Sequence, residues 1–278
     1  MKTGTLYIVA TPIGNLEDIT LRALRILREA DLIACEDTRH SRKLLSHFGI
    51  SKPLTSYFDH NKNVKGGYIL DRLREGLSVA LVTDAGTPCI SDPGYQLVRD
   101  AAAAGIRVVP VPGPSAAMAA LSASGVPSDS FTFAGFLPSR QGKRRERLAQ
   151  LRDEPRVVLL YEAPRRLLAT LADIEEVCGD RAVVVARELT KIYEEFVRGR
   201  VEEVMAHFSS APVRGEVVIL LAPADTVPSA GEPSMAALLA RLFAEGVSLK
   251  DAVRQVAAET GAQRSAVYAE ALRLKESR

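Results

Sequence analysis

The stretch Leu81-Val82-Thr83-Asp84-Ala85-Gly86-Thr87-Pro88-Cys89-Ile90-Ser91-Asp92-Pro93-Gly94 sets the reading of this chain. It begins as the end of an apolar strand, Val79 to Val82, and turns abruptly into a loop holding two Gly, two Pro and two Asp among hydroxyl residues. Pro88 and Pro93 fix φ, and Gly86 and Gly94 allow backbone that other residues avoid, so the loop is stiff. Ordinary connections in α/β units run about two to six residues. A stiff, polar loop of about twice that length at the carboxyl end of a buried strand is where open α/β sheets place their ligands.

Upstream, Gly4 to Ala10 reads as a buried strand followed by a second strand-end loop, Thr11 to Asp18. Asp18 or Thr20 then caps a helix over Leu21 to Ala30, with Leu21, Leu24 and Leu27 or Ile26 at helical spacing. A short strand, Asp31 to Cys35, ends in Glu36-Asp37-Thr38-Arg39, and the basic helix Arg39 to Phe48 follows. Leu54 to Asn61 has no clear period, and Tyr68 to Glu75 reads as an amphipathic helix. Downstream, the helix Tyr95 to Ala104 leads to the strand Arg107 to Val111. Strand and helix alternate throughout, which predicts a mostly parallel sheet.

Ser115 to Ser124 is a helix of small residues, with Ser115 as its N-cap and Gly125 past its end. After Phe131 to Phe136 comes a dense basic run, Ser139 to Arg147, which is equally the solvated face of a helix. Strands at Val157–Tyr161, Ala182–Ala186 and Val217–Ala222, with a helix at Arg165–Cys178, predict a second α/β domain. The predicted organisation is an N-terminal α/β domain (1–114), a second α/β domain (115–224), a linker rich in Pro, Ala, Gly and Ser (225–234), and a helical end (235–278). In that end, Ser248 caps Leu249 to Thr260, Gly261 turns the chain and Gln263 to Lys275 forms the next helix. This matches a helix-turn-helix, with Gln263, Arg264 and Tyr268 turned to a partner, and it matches plain helical packing as well.

The composition is that of a soluble globular protein, with 278 residues, 47% hydrophobic and 25% charged, and a net charge of +2 that says nothing by itself about nucleic acid. No apolar run reaches the roughly 18 to 20 residues of a transmembrane helix and no signal-peptide core follows Met1, so a cytoplasmic location without membrane attachment is expected. Cys35, Cys89 and Cys178 are too few and too far apart for a disulfide framework or a zinc site, and His40, His47, His60 and His207 are too scattered for a histidine metal site. A P-loop, G-x-G-x-x-G, H-E-x-x-H and G-x-S-x-G are all missing. Hydroxyls, backbone N–H groups and apolar side chains at the strand ends suit an adenine nucleoside without phosphates better than a triphosphate.

The segments GTLYIVATPIGNLEDITLRAL, ADLIACEDTR, ALVTDAGTPCISDPG, VVPVPGPSAAMAALSASG, YEAPRRL and ARELTKIYEE resemble the successive motifs of the tetrapyrrole methylase superfamily of S-adenosylmethionine-dependent methyltransferases. The EDTR, SDPG and RELTK forms resemble the branch that methylates a ribose 2′-hydroxyl of a cytidine in the decoding region of 16S rRNA. The resemblance covers nearly the whole chain. It implies two α/β domains with the cofactor in the cleft between them, a homodimer, and the small ribosomal subunit as partner. It places cofactor contacts on Pro12, on Gly86, Thr87, Pro88 and Ile90, and on Ser115 and Ala116, with Tyr161 and the Ala186 to Leu189 segment closing the site. Thr11-Pro12-Ile13-Gly14 replaces the Gly-rich first loop of the corrin enzymes, which argues against a tetrapyrrole substrate.

Methyl transfer to a hydroxyl needs in-line approach and late loss of a proton, so positioning supplies much of the rate. Asp37, His60, Glu188 and Lys191 are candidate acid-base or orienting groups, and Arg39 is a candidate phosphate holder. Arg39, Glu188 and Lys191 read equally as an ion-pair network, and His60 as a surface residue. Arg39, Arg42 and Lys43, together with Lys143, Arg144 and Arg145, are expected to track RNA phosphates. Two alternatives share some of these features: a small-molecule methylase of the same superfamily, and an RNA-binding factor without catalysis.

Overall fold

The computed structural model describes residues 3–58, 62–224, 235–260 and 262–276. The chain divides into two compact units, Met1–Ala224 and Asp225–Arg278. The first unit carries two five-stranded sheets.

The first sheet is built from β1 (Thr5–Val9), β2 (Leu32–Cys35), β3 (Leu54–Ser56), β4 (Val79–Leu81) and β5 (Arg107–Val111), in the order β3-β2-β4-β1-β5 and parallel throughout. Its inner strands β2 and β4 are continuous apolar runs because both faces are covered. Ile33 and Cys35 pack with Ala80 and Val82 under α1 (Leu21–Glu29) and α2 (Thr38–His47). Leu32 and Ala34 pack with Val79 and Leu81 on the opposite face, under α3 (Lys62–Arg74) and α4 (Tyr95–Ala103). The alternation follows from the two-residue period of a strand.

Thr20 caps α1, its hydroxyl accepting from the Ala23 N–H. The buried stripe of α1 is Ala23, Ile26 and Leu27. Leu21, expected in that stripe, is 85% exposed, because two residues before Ala23 it falls on the opposite face of the helix. The aperiodic segment contains β3, which is only three residues long and so too short to show a period. The helix expected at Tyr68 begins at Lys62. Before α4, the N-cap position is Gly94 and no side-chain hydrogen bond caps the helix.

From β5 the chain passes through α5 (Ala116–Ser124), whose small residues let it lie close on the second sheet. Gly125 ends α5 in the left-handed conformation, as its position predicts. The second sheet is built from β6 (Phe131–Phe136), β7 (Val157–Glu162), β8 (Ala182–Arg187), β9 (Glu195–Arg200) and β10 (Val217–Leu221), in the order β6-β7-β10-β8-β9. Only β6 and β7 run parallel; the other pairs are antiparallel. Its outer face packs on α6 (Gln141–Leu151), α7 (Leu167–Cys178) and α8 (Val201–Phe208), and its inner face on α5 and Ile13. β9 and α8 were not expected from sequence. β9 is a half-exposed edge strand in which Arg and Gly interrupt the apolar alternation.

The second unit is a three-helix cluster, α9 (Met235–Ala244), α10 (Leu249–Thr260) and α11 (Arg264–Glu276), around Leu239, Leu242, Val256 and Val267. Ser248 caps α10 through a reciprocal bond with Asp251. Gln263, Arg264 and Tyr268 are exposed. The proposed linker 225–234 and Gly261 lie outside the described residues. No helix among the described residues is long and apolar enough to cross a membrane.

Candidate functional site

The carboxyl ends of the parallel strands converge on a cavity of about 390 Å³, within the range of small-molecule and cofactor sites. The first sheet contributes the loops after β1, β2 and β4 and the start of α5. The second contributes the ends of β6 and β7, the turn after β8 and the first residues of β10.

These loops are tied to one another before any ligand arrives. Thr11 and Gly86 exchange backbone hydrogen bonds of 2.9 and 3.0 Å, and the Thr11 hydroxyl donates to the Thr83 carbonyl. The Thr87 hydroxyl donates to the Pro114 carbonyl at 3.1 Å, which joins the loop after β4 to the entry of α5. The Ala117 N–H donates to the Tyr161 phenol at 3.2 Å, which joins α5 to β7. The ring of Tyr161 is held edge-on by Phe133 and tilted against Phe136. Burial pushes the Tyr161 phenol above its usual range, so it stays protonated. Tyr161→Phe is therefore expected to leave the rings packed, free the Ala117 N–H and weaken ligand binding about fivefold, the effect of one hydrogen bond. Calorimetric titration checks this, and an unchanged affinity would refute it.

Four non-glycine residues take left-handed backbone among the described residues: Cys89 (φ 70°), Ser91 (φ 63°), Glu188 (φ 53°) and Thr190 (φ 65°). They flank Ile90 and Leu189, which face the cavity from the two sheets. Side-chain-bearing residues hold such angles only where the surrounding structure imposes them, and ligand clamps are a common place for that.

Of the residues expected at the cofactor, Gly86, Thr87, Ile90, Ser115, Ala116, Tyr161 and Leu189 line the cavity. Pro12 lines a neighbouring cavity of about 430 Å³ with Gly14, His40, Lys43, His47 and Lys191. Pro88 and Ala186 are buried behind the walls. Sequence reasoning did not single out Glu36, Phe136, Glu162 or Glu216. Phe136 and Glu162 end β6 and β7, a position that the strand-end rule marks. Glu216 precedes an antiparallel strand, whose amino end lies beside its neighbours' carboxyl ends, and that rule misses it.

Asp37 is the N-cap of α2. Its carboxylate accepts from the Arg39 N–H at 2.8 Å and from the Arg39 guanidinium, and these bonds hold its pKa at about 2. That arrangement suits orienting Arg39 better than accepting a proton. Glu188 and Lys191 form an ion pair of 2.8 Å, and Lys191 also reaches Glu216. The Lys191 ammonium holds the Glu188 carboxyl below its usual range. Burial opposes the Lys191 charge, but Glu188 and Glu216 outweigh it and hold its pKa above the usual value. The Lys191 stem lies against Gly14, where any Cβ would fall 2.6 Å from its carbons. His60 lies outside the described residues.

The basic run divides. Lys143 is exposed, but Arg144 is 4% exposed and its guanidinium is occupied by Asp173 at 2.6 Å. Arg144 is thus a core residue of α6 and α7, which removes it from the expected phosphate-tracking set. Arg145 is shared between Asp173 and Glu176. Arg39, Arg42 and Lys43 remain exposed on α2.

Residues 5–205 match the family profile described as Tetrapyrrole (Corrin/Porphyrin) Methylases, and residues 229–275 match the RsmI C-terminal HTH domain. The chain is 50% identical over 279 residues to the ribosomal RNA small subunit methyltransferase I of Pseudomonas aeruginosa, covering 98% of each chain. It is 48% identical over 276 residues to the protein of that name from Escherichia coli O157:H7, covering 97% of this chain and 95% of that one. Among solved structures it resembles diphthine synthase, with a TM-score of 0.60 at 16% identity over 79% of this chain and 90% of that one. It also resembles a Thermus thermophilus uroporphyrin-III C-methyltransferase complexed with S-adenyl homocysteine, with a TM-score of 0.56 at 20% identity over 79% of this chain and 97% of that one. At these identities the structural likeness concerns the fold.

Proposed function

Because the chain belongs to the tetrapyrrole methylase family, and within it to the group of the ribosomal RNA small subunit methyltransferases I, we propose that it transfers the methyl group of S-adenosylmethionine to the ribose 2′-hydroxyl of a cytidine in the decoding region of 16S rRNA. The observation that carries this reading is the lining of the cavity. Ile90, Phe136, Leu189 and Val218 give an apolar surface for a nucleoside, and the loops 83–87 and 115–116 present backbone groups. No Lys, Arg or His is among the described lining residues, so the site fits a ligand without phosphates. S-adenosylmethionine, when bound, supplies an activated methyl group, so the protein's task is placement more than activation.

In this reading the tied loops around Thr11, Gly86 and Ala117 hold the cofactor's surroundings rigid. Asp37 keeps Arg39 turned out for an RNA phosphate. The Glu188–Lys191 pair fixes the turn that aims Leu189 into the cavity, and His60 completes the set of acid-base or orienting candidates. Arg42, Lys43 and Lys143 track the RNA backbone, Arg145 contributes where Asp173 and Glu176 leave it exposed, and the C-terminal helices add to the grip. The substrate is the small ribosomal subunit, and the protein works as a cytoplasmic homodimer. A small-molecule methylase of the same family would not need the exposed basic residues of α2, and a factor without catalysis would not need the cavity.

The test is transfer of labelled methyl from S-adenosylmethionine to small subunits lacking the modification, followed by nucleoside analysis of the RNA. The expected product is 2′-O-methylcytidine. Glu188→Ala, Lys191→Ala, Asp37→Ala and His60→Ala should each slow the transfer on the order of tenfold. Tight cofactor binding with no label in the RNA would point to the small-molecule alternative.

A further inference from the structure

A third cavity, of about 380 Å³, is lined by Tyr57, Asp92, Pro93, Gly94, Tyr95, Gln96 and Arg99. Asp92 also lines the cofactor cavity, and it is the one side chain common to the two described linings. The third cavity therefore meets the first at a carboxylate.

We infer that this third cavity holds the target nucleoside of the RNA, with the base against Tyr95, a flanking phosphate at Arg99, and the ribose hydroxyl at Asp92. The inference rests on the RNA methylase reading and deepens it.

Tyr95 stands at the first residue of α4 and is 71% exposed, a large aromatic face that the fold does not use. Single-stranded RNA is held by stacking unstacked bases on such faces, and a nucleotide that must reach a recessed reactive group has to leave its own stack. Arg99 lies one turn further along α4, on the same side of the helix as Tyr95. Its guanidinium pairs with Asp100 and is 54% exposed, leaving donors for a phosphate. The cavity at α2 also adjoins the cofactor and carries Lys43 and Lys191, which suits the RNA backbone, but no tyrosine or phenylalanine is among its described lining residues.

Asp92 is set for a hydroxyl. Burial raises its pKa, Asp84 adds to the rise and a hydrogen bond with Thr83 opposes it, so the carboxylate is a better proton acceptor than an exposed one. In the transfer, the O–C bond forms as the C–S bond breaks with its electron pair going to sulfur. The O–H bond breaks, its proton passes to the Asp92 carboxylate, and from there it leaves to water.

The experiment measures steady-state methylation of unmodified small subunits, with cofactor affinity followed separately by calorimetry. Tyr95→Ala is expected to raise KM for the RNA on the order of tenfold. Tyr95→Phe restores it, and cofactor affinity stays unchanged in both. Arg99→Gln is expected to raise KM less, and Asp92→Asn to lower kcat with little change in KM. If Tyr95→Ala and Arg99→Gln leave KM within twofold while Lys43→Ala raises it, the nucleoside sits in the cavity at α2 and the inference is wrong. An Asp92→Asn protein with normal kcat removes the role of Asp92. Cofactor binding without transfer by the unaltered protein would instead overturn the RNA methylase reading itself. Tyr95 is mostly in solvent, so its truncation leaves the core intact, and a melting curve for each variant verifies this.

Discussion

Replacing Asp173 with alanine is expected to lower the melting temperature on the order of 10 °C. Asp173 lies in α7 with its side chain 1% exposed, and it accepts from Arg144, Arg145 and Gln141. The Arg144 side chain is 5% exposed. Removing one partner of such a pair leaves the other charge buried without compensation, which costs about 3–5 kcal/mol. For a unit of this size each kcal/mol moves the transition by roughly 2–4 °C. Asp173→Asn should cost less, since it keeps the shape and one acceptor. Calorimetric melting of the full chain checks the prediction, and a shift below about 2 °C would mean that Arg144 finds another acceptor. The pH dependence has a definite sign. Burial pushes the Asp173 carboxyl up, but Arg145, Gln141 and Arg144 pull it down further, below the usual carboxylate range. Its stabilisation is therefore full above the ordinary carboxylate pKa and is lost as pH falls through the depressed one.

Gly94→Ala should weaken cofactor binding on the order of a hundredfold. Gly94 has φ 147°, which an alanine does not tolerate, and an added Cβ would stand 2.5 Å from the Cys89 sulfur and 3.1 Å from Leu81. Cys89 cannot retreat without moving Ile90, whose side chain lines the cavity. The damage should be local, because β4 ends at Leu81, before the loop. The expected outcome is a melting temperature changed by only a few degrees alongside lost affinity. Retained affinity would show that the loop adapts at its other end.

Much of the first sheet could be read from the chain. The strands β1, β2, β4 and β5 are mostly apolar runs followed by polar loops that announced themselves, whereas the three-residue β3 did not. Seven of the ten residues assigned to the cofactor line one cavity. The second sheet was less legible. β9 alternates weakly at an edge, and the wall residues of β10 come from the amino end of an antiparallel strand. The basic run misled for a different reason. Lys143 and Arg144 are neighbours of one chemical type, and only the position of Asp173, 29 residues further on, decides that one is solvated and the other buried. A charge run records composition, whereas burial is fixed by what packs across from it.

The left-handed residues around Ile90 and Leu189 bear on the thermodynamics of binding. Each such angle costs about 1–3 kcal/mol in isolation, and the tied loops from both sheets hold the residues in place all the same. That cost falls on folding, whether or not a ligand is present. The cofactor then meets walls that need little ordering, and loss of chain entropy subtracts correspondingly little from its affinity.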